Sequence, residues 1–336
     1  MSMTEQKRLT GPDFVKGLAI VLMVYGHLDH AGSLVVQQKA AVKWVYSFHM
    51  PLFLLISGFL FKLRSEGKIL IGNVVSKILR PYLIFAALYL CGLWVASTMG
   101  LPTANVAPQS AQGFFDTLFL HPRGGYWFLH SLLIIQISLI IPKTIRIFKN
   151  NDPLIYFILS SLIWVICIYY NVILPRTIAF FMIGFCLGNI WGMFRGGIWV
   201  GFAGAMITAG LSCSDLFTFS MAQIVWAVSL LCFLSGVSEA KPSALAVRFF
   251  AWLGKNSMGI LVFHAIYVSL FKILSKSILK VEPSGILNSI AATVFCVGAC
   301  LATSFLIDRA KMTMFLFGSN NVYFPFRAKR EFIVGC

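Results

Sequence analysis

Charge is what this chain has least of. Only 11% of its 336 residues are Asp, Glu, Lys or Arg, and just 11 are acidic. Soluble domains carry about a quarter of such residues. With 59% hydrophobic residues and a mean hydropathy of +0.85, the chain cannot cover itself with polar surface in water. That excludes a soluble globular enzyme, a disordered protein and a nucleic-acid-binding domain. Metal-binding spacing is also missing. The 8 cysteines form no CxxC or CxxH pattern, and six of them (Cys91, Cys167, Cys186, Cys232, Cys296 and Cys300) sit in apolar stretches as small packing residues. The 6 histidines show no HxxxH or HExxH spacing and have few carboxylates nearby, so no metal is expected.

What is present is a series of long apolar runs. A bilayer crossing needs roughly 20 apolar residues. The runs near 14–33, 46–63, 81–99, 126–142, 153–171, 176–194, 197–212, 219–236, 250–273 and 286–307 meet or approach that length. The expected fold class is therefore an all-α polytopic membrane protein of about ten transmembrane helices. Strands of a barrel are shorter and alternate in polarity. The first run is expected to be retained rather than cleaved as a signal peptide. Lys16 interrupts it, and Asp29 and His30 crowd the small residues Ala31-Gly32-Ser33.

The net charge of +16 reads as topology. With the N-terminus inside, eighteen Lys and Arg fall on the inner side. Seven fall outside: Lys39, Lys43, Arg123, Arg176, Lys272, Lys276 and Lys280. Positive loops stay cytoplasmic, so both termini are expected there. The organisation is one integral-membrane domain over 1–336: a cytoplasmic N-terminus at 1–13, a bundle at 14–307 and a basic cytoplasmic tail at 308–336.

Ionisable side chains at membrane depth are costly and are candidates for function. Asp13, Lys16 and His27 stand out in the first run. Lys16 and His27 are 11 residues apart, so on a helix they share one face, about 16 Å apart along the axis. The topology places His27, His49, His130 and His264 in the outer half, with His121 in the loop leading there and His30 beside them. Imidazole suits proton transfer to and from a hydroxyl. On the cytoplasmic side, the stretch from Lys62 to Arg80 holds five cations against Glu66. Positive-inside loops look like this, and so does a seat for a polyphosphate cofactor.

Five ordered motifs resemble the acyltransferase-3 family of bacterial membrane acyltransferases, which includes O-antigen and other polysaccharide O-acetylases. They are Gly11-Pro12-Asp13-Phe14-Val15-Lys16-Gly17 running to His27, with lysine where many members have arginine; Phe48-His49-Met50-Pro51-Leu52-Phe53 with Ser57-Gly58-Phe59; Arg80-Pro81-Tyr82; Tyr126-Trp127-Phe128-Leu129; and Leu253-Gly254-Lys255-Asn256-Ser257 running to His264. The resemblance covers essentially the whole chain, and a C-terminal esterase-like extracytoplasmic domain of the kind some members carry is not expected.

The resemblance implies transfer of an acyl group, usually acetyl from acetyl-CoA as co-substrate, to a sugar hydroxyl. The acceptor it implies is a lipid-linked or surface polysaccharide such as O-antigen, at the bacterial inner membrane. On that reading His27 is a base or acyl relay, with His264, Lys16 and Asp13 completing the catalytic set. Arg64, Lys77 and Arg80 hold the CoA phosphates. His49, Tyr126, Trp127, Asn256 and Ser257 serve the acceptor or the oxyanion. A secondary transporter or flippase is the other class compatible with ten spans and buried Asp and Lys.

Overall fold

The computed structural model describes residues 10–63, 67–100, 105–144, 153–190 and 197–326. Among them all regular structure is helical, with no strand. In chain order the helices are α1 (Thr10–Gly26), α2 (Val35–Leu60), α3 (Gly67–Val74), α4 (Arg80–Thr98), α5 (Ala111–Phe119), α6 (Tyr126–Thr144) and α7 (Pro153–Tyr169). Then come α8 (Pro175–Ile190), α9 (Ile198–Leu211), α10 (Met221–Ala240), α11 (Leu245–Lys255), α12 (Ser257–Val281), α13 (Ile286–Arg309) and α14 (Thr313–Phe317). Five helical stretches are long and apolar enough to cross a bilayer: Val35–Leu60, Ile69–Thr98, Met221–Ala240, Ser257–Val281 and Ile286–Arg309. Large apolar side chains such as Trp94, Ile166, Trp199 and Val294 are exposed, as lipid-facing residues are. The chain is an all-α membrane protein.

Four helix boundaries differ from the apolar runs, each for a physical reason. Helix α1 stops at Gly26 rather than continuing to 33. The next segment instead pairs with the α12–α13 turn, where Ser33 N–H donates to the Pro283 carbonyl (2.8 Å) and Leu34 N–H to that of Ser284 (3.2 Å). Helix α2 starts at Val35, not 46, because Lys39 and Lys43 end the apolar run without ending the helix. A turn of π-helix at Val75–Leu79 joins α3 to α4, so Arg80 lies inside a continuous helical stretch rather than at its entrance. The expected span at 250–273 is broken at Asn256 and continues to Val281. Lys272, Lys276 and Lys280 therefore belong to α12 itself, and Lys272 pairs with Asp29 (3.4 Å).

Helices in lipid gain little from hydrophobic contact with one another, so small residues that let backbones touch drive their packing. Here glycine does this at three crossings. A Cβ on Gly17 of α1 would sit 1.7 Å from the Phe250 carbonyl oxygen of α11, and one on Gly254 of α11 would sit 1.8 Å from that of Asp13. Between α2 and α8, Gly58 meets the Phe181 carbonyl and Gly184 that of Leu55, each at 1.9 Å for a hypothetical Cβ. A Cβ on Gly201 of α9 would sit 2.3 Å from the Phe233 amide nitrogen of α10.

The segment between α4 and α6, which no apolar run covers, is partly helical. Helix α5 starts beside Leu90 and Trp94 and ends where the Tyr82 hydroxyl donates to the Leu118 carbonyl, so it descends along α4. At the other end of the chain, residues 310–326 fold back onto the bundle. The Asp308 carboxylate accepts from Val322 and Tyr323 N–H (3.1 and 2.8 Å), and Asn256 Oδ1 accepts from Phe324 N–H (2.8 Å). Phe317 of α14 packs on Phe85 of α4 and Phe263 of α12.

Gly17→Ala is expected to cost stability at the upper end of the roughly 1–3 kcal/mol typical of overpacked cores, or to block folding, because its methyl would meet backbone atoms. Gly92→Ala, with nothing within 4 Å of its Cβ position, is expected to melt like the parent. Thermal unfolding of both variants in the same detergent checks this contrast.

A candidate active site of three imidazoles

The histidines that sequence placed on one side separate into two groups. His27, His49 and His264 converge. The rings of His27 and His264 lie edge to face with centroids 5.1 Å apart. Tyr46 links His27 to His49, at 6.1 and 5.0 Å from the two rings. The other three serve elsewhere. His30 sits in a buried polar knot with Gln38 and Ser289, His121 pairs with Asp116 on an exposed edge, and His130 donates from Nε2 to the Phe119 carbonyl (2.8 Å).

The convergent three share one device. In each, Nδ1 lies 2.8 Å from a carbonyl one helical turn back: Met23 for His27, Val45 for His49 and Leu261 for His264. A carbonyl only accepts, so each Nδ1 carries the proton and each Nε2 is left with a lone pair. His49 and His264 are buried, and their Nε2 atoms have no partner among the described residues, as is also true of His130 Nδ1. Buried acceptors without partners are rare unless a ligand or water completes them.

His27 is the first residue beyond α1, although its N–H still bonds the carbonyls of Met23 and Val24 (3.1 Å each). His49 lies mid-way along α2 rather than at its outer end. His27 and His49 line a cavity of about 600 Å³, with Met23, Tyr46, Trp127, Gly125 and Gln223 among its other walls. Sequence reasoning had not singled out Tyr46, Gly125 or Gln223. Gly125 stands next to the Tyr126-Trp127 motif, and its lack of a side chain makes room for His264, since a Cβ there would lie 2.9 Å from His264 Cε1.

Other candidates sit apart from this cluster. Lys16 Nζ pairs with Asp13 (3.0 Å), with both side chains largely buried near α11. Tyr126 donates to the Val262 carbonyl (3.1 Å) and packs on Tyr89, behind the cavity wall. Asn256 donates to the Trp252 and Phe324 carbonyls (2.9 and 3.1 Å), so its amide is engaged with the C-terminal segment. Ser257 opens α12 beside it, two helical turns before His264. Lys77 is exposed, Arg80 donates to the Met314 carbonyl (2.9 Å), and Arg64 lies outside the described residues. Among the described residues, no three His, Cys, Asp or Glu side chains are grouped to hold a metal ion.

In an α-helical membrane bundle, two imidazoles on a cavity wall with a third in ring contact have the chemistry for proton or acyl transfer. The family model described as an acyltransferase domain matches residues 9–309, and the chain belongs to that family, acyltransferase-3. Two curated relatives are nodulation proteins NolL. The protein from Mesorhizobium japonicum is 30% identical over 205 residues, covering 56% of this chain and 50% of its own. That from Sinorhizobium fredii is 29% identical over 238 residues, covering 66% and 56%. The chain thus spans about half the length of these relatives. No solved structure matches it.

Gly125→Ala is expected to push the His264 ring by a few tenths of an ångström while leaving the helices intact. Acyl transfer should fall about 10-fold, as small misplacements of reacting groups do, without loss of donor binding. Turnover measured beside donor affinity on one preparation checks both halves.

Proposed function

We propose that this protein moves an acyl group, acetyl foremost, from acyl-CoA to a sugar hydroxyl of a cell-surface glycan such as lipid-linked O-antigen. The observation that carries the proposal is the set of three imidazoles, all with Nδ1 occupied by a backbone carbonyl, of which His27 and His49 line one cavity and His264 lies in ring contact with His27. His27 Nε2 takes the proton of the acceptor hydroxyl as its oxygen attacks the thioester carbonyl. The C–S bond then breaks, and the imidazolium returns the proton to the leaving thiolate, giving the sugar ester and free CoA. In a relay version the acyl group first rests on His27 Nε2 and the hydroxyl attacks it there. His264, in ring contact with His27, steadies the imidazolium or shares its proton. The Asp13–Lys16 pair anchors the base of the same helix.

Five long apolar stretches together with α1 and the shorter apolar helices α6, α7, α8 and α9 make up the ten crossings of this reading. Both termini lie in the cytoplasm of a bacterium, at its inner membrane. Lys77 and Arg80, with Arg64, receive the CoA phosphates from that side. Arg80 is about 8 Å along α4 from Phe85, and Phe85 packs on Phe263, the neighbour of His264. That contact supports a short path for the thioester from phosphate seat to imidazole.

The test is acetyl transfer from acetyl-CoA to lipid-linked glycan by purified protein in nanodiscs. His27→Asn is expected to fold, to bind CoA and to lose about 100-fold or more of the transfer, the scale of a lost general base. Activity within threefold of the parent would remove His27 from the chemistry.

Arg80→Ala is expected to weaken CoA binding by about 10-fold or more, the loss of a charge-assisted contact. Calorimetry against CoA on folded protein checks it, and unchanged affinity would leave Arg80 a partner of Met314 alone.

A further inference from the structure

The cavity lined by His27 and His49 has an edge that acyl transfer by itself does not require. Lys39 and Lys43 of α2 and Arg176 of α8 all line it, all three are exposed, and no acidic side chain is among its walls. Among the described residues, none of the three has a carboxylate within ion-pair distance, although the chain keeps such pairs elsewhere, as at Asp13–Lys16 and Asp29–Lys272. Lys43 is held in place, with its ammonium 4.3 Å from the centre of the Phe217 ring. Like charges gathered at one opening repel unless something negative sits between them.

Deeper in the same cavity the polarity reverses. His49 is 0% exposed and Gln223 is 4% exposed, and both line the cavity. Among the described residues, His49 Nε2 and Gln223 Oε1 have no hydrogen-bond partner. Both are acceptors here. His49 donates its Nδ1 proton to the Val45 carbonyl, and Gln223 turns its amide nitrogen to the Ser47 carbonyl (3.3 Å), leaving Oε1 as the acceptor. The cavity therefore asks for a ligand with hydroxyl donors at its inner end and negative charge at its outer end.

We propose that the acceptor is an anionic glycan, its hydroxyls taken by His49 and Gln223 and its negative group by Lys39, Lys43 and Arg176. This rests on the acyl-transfer reading in treating the cavity as the acceptor's seat. Two sources share that chemistry: an acidic sugar, and the diphosphate of a lipid carrier joined to the sugar.

The experiment is binding, read from quenching of tryptophan fluorescence, with Trp127 in the cavity wall as reporter. One probe pair is a glucuronic-acid-containing tetrasaccharide and the same tetrasaccharide with its carboxyls reduced to alcohols. The other is farnesyl diphosphate and farnesol. The protein is expected to bind the charged member of one pair about 10-fold or more tightly, the scale of charge-assisted contacts. The Lys39→Gln, Lys43→Gln, Arg176→Gln triple variant should bring that ratio to about 1, while Lys39→Arg, Lys43→Arg, Arg176→Lys should keep it. Preference in the first pair assigns the charge to the sugar, and preference in the second to its carrier. No preference in either pair overturns the proposal, as does a preference that survives the glutamine variant. Displacement of the preferred probe by free coenzyme A would assign the cations to the donor and overturn it too. Acetyl transfer is measured separately. Charge-selective binding without transfer would sink the acyl-transfer reading and leave the anionic seat standing.

Discussion

Two helices at backbone contact hold the rest of this structure in register. Gly17 of α1 and Gly254 of α11 each face a carbonyl of the other helix where any side chain would collide. That contact fixes the height of α1 against α11. Helix α12 follows α11 after Asn256, so it inherits the same reference and brings His264 level with His27. In lipid there is no hydrophobic force to correct a slipped register. Glycine contact supplies the positional precision that a packed aqueous core would otherwise give.

The low dielectric of the bundle then shapes the chemistry. A buried polar group without a partner costs on the order of 1–3 kcal/mol, so each helix offers the carbonyl one turn back to the Nδ1 proton of its own histidine. This leaves the Nε2 lone pairs as the only free polar atoms of the rings. The other histidines are held differently, and His121 meets Asp116 through Nδ1 on an exposed edge. His30 is bonded at both nitrogens, and His130 donates from Nε2 instead. What sets His27, His49 and His264 apart is their convergence, with His27 and His264 in ring contact and His27 and His49 on the cavity wall.

The C-terminal segment shows a second economy of buried polar groups. Asp308 and Asn256 bind the backbone of residues 322–324 through main-chain-like contacts, and Trp252 Nε1 adds a bond to the Phe324 carbonyl (2.6 Å). Asn256 therefore breaks the helix and ties down the folded-back end, on the face where Arg80 meets Met314. The motif around Asn256 thus positions His264 from a distance, by anchoring the start of α12.

The sequence alone determined the solvent, the helical class, the family and the residue types of the site. Those depend on composition and on motifs in order along the chain, which survive in one dimension. His27, His49 and His264 were legible because ionisable groups are rare in such a chain. Their separation from His30, His121 and His130 was not, nor were the parts played by Gly125, Tyr46 and Gln223. Helix ends were misread where a boundary depends on a partner far away in sequence, as at Gly26, where residues 33–34 bond to 283–284. They were also misread where cations such as Lys39, Lys43 and Arg80 interrupt an apolar run but not the helix. Only the tertiary structure decides these points. Which lone pair faces a cavity, and which cations meet there, depends on contacts between α2, α8, α10 and α12, and no local pattern encodes the distance between residues 49, 176, 223 and 264.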